Sequence, residues 1–146
     1  MISRIRILIV AIFFLFTGSD VFARDTLHQF SIADVMENPE YSSRLEGVSF
    51  YFSDQEHPPV AINHGEFRTN KKTNAFGKSD LKACQWVMLS ALVQLHQRAQ
   101  SLGANAVIDI KSNYKNNEVS SPTLYTCGAG ATVAGVALIG TIVELE

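Results

Sequence analysis

Apolar residues recur at helical spacing between Ser79 and Leu102. Leu81, Cys84, Val87, Met88, Ala91, Leu95, Ala99 and Leu102 fall on one broad face of a predicted helix. Ser79 or Asp80 caps its start, and Gly103 stops it. Trp86 and Val93 lie on the opposite side, with Leu89 at the edge. This second apolar patch has two readings. Either the N-terminal segment folds over it, or it is an exposed surface that docks another protein.

Elsewhere the pattern is that of strands. Val48 to Phe52 alternates β-branched, polar and aromatic residues, and Val60 to Arg68 is a second strand. The two are expected to pair antiparallel across the turn-rich stretch Ser53 to Pro59. Thr69 to Gly77 reads as a polar loop. Ala104 to Tyr114 is a third strand, and Lys115 to Pro122 a polar turn. Leu124 to Leu145 reads as one long, bent final strand, with glycines at 128, 130, 135 and 140 as bulges, bends or close-packing points. Its apolar part is too short for a membrane span, and its Gly, Thr and Val content favours strand. Antiparallel pairing with residues 104–114 is the natural connection.

Arg24 to Glu46 is mixed and polar. Ser31 caps a short helix through Met36, which stops at Asn38-Pro39, and a second turn from Glu40 to Leu45 ends at Gly47. The expected fold class is α+β. A small antiparallel sheet in ββαββ order carries one main helix at about 79–102, under a short helical N-terminal cover.

The first 23 residues have a different layout. Arg4 and Arg6 precede an apolar run from Ile5 to Phe16, and Val21-Phe22-Ala23 closes it with small residues at its first and third places. This predicts a secretory signal peptide cut after Ala23 and a single exported domain over residues 24–146, periplasmic or secreted. No membrane span is expected after cleavage. In an oxidising compartment Cys84 and Cys127 are expected as a disulfide that ties helix to sheet; the alternative is two buried free thiols.

The whole chain has 12 basic and 14 acidic side chains, and loss of Arg4, Arg6 and Asp20 leaves a net charge of −3. A weakly acidic domain gives no electrostatic case for nucleic acid. Phe76-Gly77-Lys78-Ser79 imitates the end of a phosphate-binding loop, but Lys72 stands where the first glycine is needed, so Gly77 and Ser79 read as turn and cap. Gly128-Ala129-Gly130 lacks the third glycine of a dinucleotide fingerprint. No nucleophile elbow and no CxxC pair occurs. No catalytic residue and no cofactor is expected. His57 and His64 flank the first predicted hairpin, with Asp54, Glu56 and Glu66 nearby, and would hold a divalent metal if that hairpin folds tightly. Lys71 and Lys72, with Arg68 and Lys78, form a modest basic cluster.

Thr69 to Asp80 (TNKKTNAFGKSD), Ala83-Cys84 and Gly103-Ala104-Asn105-Ala106-Val107 resemble a family of small exported bacterial proteins often labelled "excinuclease ATPase subunit". That activity needs complete nucleotide-binding loops and zinc-binding cysteines, and this chain has neither. Cys84, Ala104-Asn105-Ala106-Val107 and Cys127 are similar to the RcsF-type envelope stress lipoproteins. The resemblance implies a helix packed on a sheet with a disulfide between them. The lipid-anchor cysteine and the second disulfide of those proteins are missing here.

The expected function is a non-enzymatic exported binding or stress-related accessory protein with an envelope or secreted protein partner. Trp86, Leu89 and Val93, or Lys71 and Lys72, form its contact surface. The alternatives are a small divalent-metal-binding protein using His57 and His64, and a secreted factor acting on a host or competitor.

Overall fold

The computed structural model describes residues 24–146; the predicted signal peptide lies outside the described residues. The chain runs through β1 (Thr26–Ser31), the short helices α1 (Ile32–Met36) and α2 (Pro39–Ser42), a 3-10 turn (Ser43–Leu45), β2 (Ser49–Phe52) and β3 (Val60–Asn74). The long helix α3 (Asp80–Ser101) follows, then β4 (Ala106–Tyr114), β5 (Asn117–Val119), β6 (Leu124–Ala129) and β7 (Val133–Leu145).

One seven-stranded sheet results, and β7 is its spine. One side of β7 pairs with β3 along its whole length. The other side pairs first with β6 and then with β4. β1 extends the sheet beyond β6, β2 beyond β4, and β5 forms a hairpin with β4. Every pair is antiparallel except β2 with β4, which is parallel.

The main helix forms where its periodicity predicts. Ser79 Oγ accepts from the Lys82 amide at 3.2 Å, and Gly103 ends the helix at φ +69°. Cys84, Val87, Met88, Ala91, Leu92, Leu95 and Ala99 are buried on the sheet, while Leu81 in the first turn is 43% exposed. From the sheet, Ala134, Val136, Leu138 and Ile142 of β7 face the helix in the same core. Gly140 has no room for a side chain, because a Cβ there would lie 2.6 Å from Val107 Cγ1. Cys84 and Cys127 form a disulfide between α3 and β6, with Cα atoms 5.9 Å apart. Ser31 caps α1, as expected. His96 Nε2 donates to the Glu46 carbonyl at 2.7 Å and fastens the N-terminal cover to the helix.

The ββαββ order needs correction. β2 and β3 do not form a hairpin: β2 lies beside β4, and β3 pairs with β7. Thr69 to Asn74 is not a loop but the second half of β3, because β7 is long enough to pair with it as far as Val133. The final strand is two strands. Gly130 N–H bonds the Val133 carbonyl at 2.8 Å, closing a tight turn between β6 and β7. The polar turn after Tyr114 contains β5, joined to β4 by Lys115 and Asn116 at φ +51° and +61°, the geometry of a two-residue type I′ hairpin. Thr26 to Ser31 belongs to the sheet rather than to a cover.

Candidate functional site

The second apolar patch of α3 faces a groove, and the groove has one wall from each of three elements. Trp86, Leu89, Ser90, Val93, Gln94 and Gln97 come from α3, Lys71 from β3, and Arg44 from the 3-10 turn. Its volume is about 250 Å³. Helical spacing places the α3 residues on one flank. Lys71 reaches them because alternate residues of β3 face the helix: Phe67, Thr69, Lys71 and Thr73 are buried or half-buried there, while Arg68, Asn70, Lys72 and Asn74 are exposed on the other face.

The N-terminal segment covers this patch only in part. Leu89 is closed off at 2% exposure, whereas Trp86 remains 41% exposed at the groove mouth. Tyr41 of α2 meets the indole edge-on at 6.3 Å between ring centroids, and the Arg44 guanidinium lies 5.6 Å from its centre. A guanidinium over an indole face is attracted by the ring quadrupole. The N-terminal segment therefore supports one side of Trp86 and leaves the other open. Ser90 Oγ donates to the Trp86 carbonyl at 3.1 Å. Among the described residues, no Asp, Glu, His or Cys lines the groove, and those that do supply two cations, a hydroxyl, amides and an indole. Such groups can hold a ligand through charge, hydrogen bonds and ring contact.

Of the sequence-predicted residues, Trp86, Leu89, Val93 and Lys71 come together. Lys72 does not. It lies across the sheet, in a cavity of about 320 Å³ with Tyr114, Gly128 and Gly135. There the Tyr114 ring rests on the sheet, and a Cβ at Gly128 would fall 2.1 Å from its hydroxyl oxygen. Tyr114 donates to Asp25 at 3.1 Å, and Lys115 pairs with the same carboxylate. A larger groove of about 480 Å³ lies beside α1 with Ile32, Met36, Phe50 and Phe52 in its lining.

His57 and His64 are not brought into a shared site by a hairpin, since the hairpin does not exist. His57 packs on Tyr51 and its Nδ1 donates to the Pro58 carbonyl at 2.8 Å, while His64 Nε2 bonds Glu144 at 2.9 Å. Among the described residues, no group of three or more His, Cys, Asp or Glu side chains is placed to hold a metal ion. Gly77, at φ +72°, and Ser79 act as turn and cap.

Sequence reasoning missed Arg44, whose role depends on a contact across the fold. It also missed a carboxylate centre at the other end of α3. Arg24 binds Asp80 through both oxygens at 2.9 and 3.0 Å, and His28 Nε2 approaches the same carboxylate at 2.8 Å. The Arg24 hydrogen bonds, reinforced by His28, hold the Asp80 pKa down at about 2. Its folded pKa lies below the unfolded value of about 4. The stability it adds is therefore complete above that value and is lost as pH falls toward 2. Wild type is expected to melt above Asp80→Asn by a constant margin at mildly acidic and neutral pH. That margin should close between about pH 4 and pH 2. Thermal melts across this range check it, and a margin unchanged at the acid end would remove the assignment.

No family model matches the chain, and no curated protein and no solved structure is found to be similar to it.

Proposed function

We propose that this chain is a non-enzymatic, exported binding protein of the cell envelope that docks a protein partner in the Trp86 groove. The single observation that carries the reading is the convergence of Trp86, Leu89, Val93, Lys71 and Arg44 on one open groove. A half-exposed tryptophan, braced by Tyr41 and Arg44, is a rigid anchor with little conformational entropy to lose on binding. The two cations give the groove a sign, and they favour an acidic partner segment. The disulfide supports a compartment in which thiols oxidise. Among the described residues, no helix is long and apolar enough to cross a membrane. A stress-related role rests on the RcsF-type resemblance alone.

Trp86→Ala tests the proposal. The indole is 41% exposed and stands outside the buried core, so the variant is expected to lose no more than about 1 kcal/mol of stability. Site-specific crosslinking from Ser90 in intact cells is expected to capture a discrete partner with wild type and none with Trp86→Ala. Equal capture by both chains would overturn the docking role.

A further inference from the structure

The Trp86 groove opens beside an unused sheet edge. Among the described residues β3 pairs with β7 only, and from Gly65 to Asn74 the register runs without a shift. The two irregularities of this strand lie before that stretch, between Val60 and Ile62 and between Asn63 and Gly65. Among the described residues, no other strand covers the outer edge of Glu66 to Thr73. A straight edge of this length presents a row of unpaired backbone donors and acceptors, which is a template for one more strand.

Beyond Glu66 the charge along this edge is positive. From Phe67 to Ser79 the sequence has Arg68, Lys71, Lys72 and Lys78 and no Asp or Glu. Arg68 and Lys72 stand on one face of β3, and Lys71 stands on the other, inside the groove. The nearest acid on the strand, Glu66, meets Arg68 at 3.2 Å, and both are exposed. Lysines on an edge strand commonly serve to block pairing between like chains. The same charges that repel a second basic edge attract an acidic strand, so they select the occupant as well as exclude the wrong one.

We infer that the β3 edge between Glu66 and Asn74 takes an extended acidic segment of a protein partner as an added strand, with one of its side chains seated in the Trp86 groove beside Lys71. This inference rests on the docking role proposed above and states its mode. Backbone hydrogen bonds along β3 supply a sequence-independent share of the affinity, and alternate side chains supply the selection. Side chains on one face of the added strand meet Arg68 and Lys72. Those on the other face meet Lys71, Arg44 and the indole.

The test is a display library of random linear peptides screened against the mature chain. Enriched peptides are expected to carry Asp or Glu at alternating positions. Three measurements on the best peptide follow. N-methylation of alternate backbone amides removes donors without changing side chains, and in one of the two phases it should weaken binding by at least about tenfold. Lys71→Glu and Arg68→Glu should each weaken it, and added salt should do the same. Amide hydrogen exchange of residues 66–74 should slow in the complex.

Acidic peptides that lose binding with Trp86→Ala but ignore N-methylation in both phases would overturn strand addition and leave the groove as the docking site. Enrichment of neutral or basic peptides, or no enrichment at all, would overturn the inference, while the crosslinking from Ser90 judges the docking role separately. Self-association of the chain, blocked by Lys71→Glu, would make the occupant a second copy and would also overturn it.

Discussion

Replacing Cys84 and Cys127 together by alanine is expected to lower stability by about 4 kcal/mol, the chain-entropy value for a closed loop of this length. Both residues are fully buried, so alanine avoids placing two hydroxyls in the core. The bond joins the first half of α3 to β6, elements that lie on opposite sides of a stretch containing β4 and β5. Without it the unfolded chain regains the freedom of that whole stretch, whereas the folded chain loses little, because α3 stays seated through Val87, Met88, Leu92 and Leu95. For a domain whose total stability is about 5 to 15 kcal/mol, the loss is large but survivable. The melting temperature should fall on the order of 15 °C. Wild type in reductant should show a comparable fall. A change of only a degree or two in the double variant would mean that the bond constrains the chain little.

Leu92→Ala is expected to cost about 3 kcal/mol. Leu92 is fully buried in the core between α3 and the sheet, and its truncation leaves a cavity that rigid strands on one side cannot fill. Trp86 is six positions earlier on the same helix, larger and more apolar in area, yet its truncation is expected to cost far less. The difference is orientation alone: Leu92 faces the sheet and Trp86 faces the groove. Urea unfolding of the two variants checks this directly, since both should keep the wild-type slope while only Leu92→Ala moves the midpoint substantially. A loss below about 1 kcal/mol for Leu92→Ala would contradict the seating of the helix described above.

Much of the framework was legible from short-range pattern. The helix from Asp80 to Ser101, its Ser79 cap, its Gly103 stop, the Ser31-capped turn and the antiparallel pairing of β4 with the final strand all follow from spacing and local backbone chemistry. β1 was not legible, because its two large apolar residues fall on different faces. Leu27 is 62% exposed and only Phe30 packs inward, so no alternation signals a half-buried strand. The extension of β3 was hidden for a related reason. Thr69 to Asn74 is polar throughout, and its strand state comes from hydrogen bonds to β7 and the shelter of α3.

The candidate site divides along the same line. Helical periodicity puts Trp86, Leu89 and Val93 on one flank of a helix, and that part the sequence determined by itself, since every residue involved is within two turns of its neighbours. The cysteine pair was likewise readable, from the predicted export and from the count of two. What only the tertiary structure decided is which residues from elsewhere complete the groove. Lys71 joins and Lys72 does not, because the pairing of β3 with β7 makes Thr69–Asn74 a strand and alternation then sends neighbours to opposite faces. Arg44 joins because the N-terminal turn closes over α3 through the His96 hydrogen bond and the Tyr41–Trp86 contact. Periodicity is a short-range property of the backbone, whereas strand partners and cross-fold contacts are chosen by competition among distant segments, and that competition is resolved only when the whole core packs.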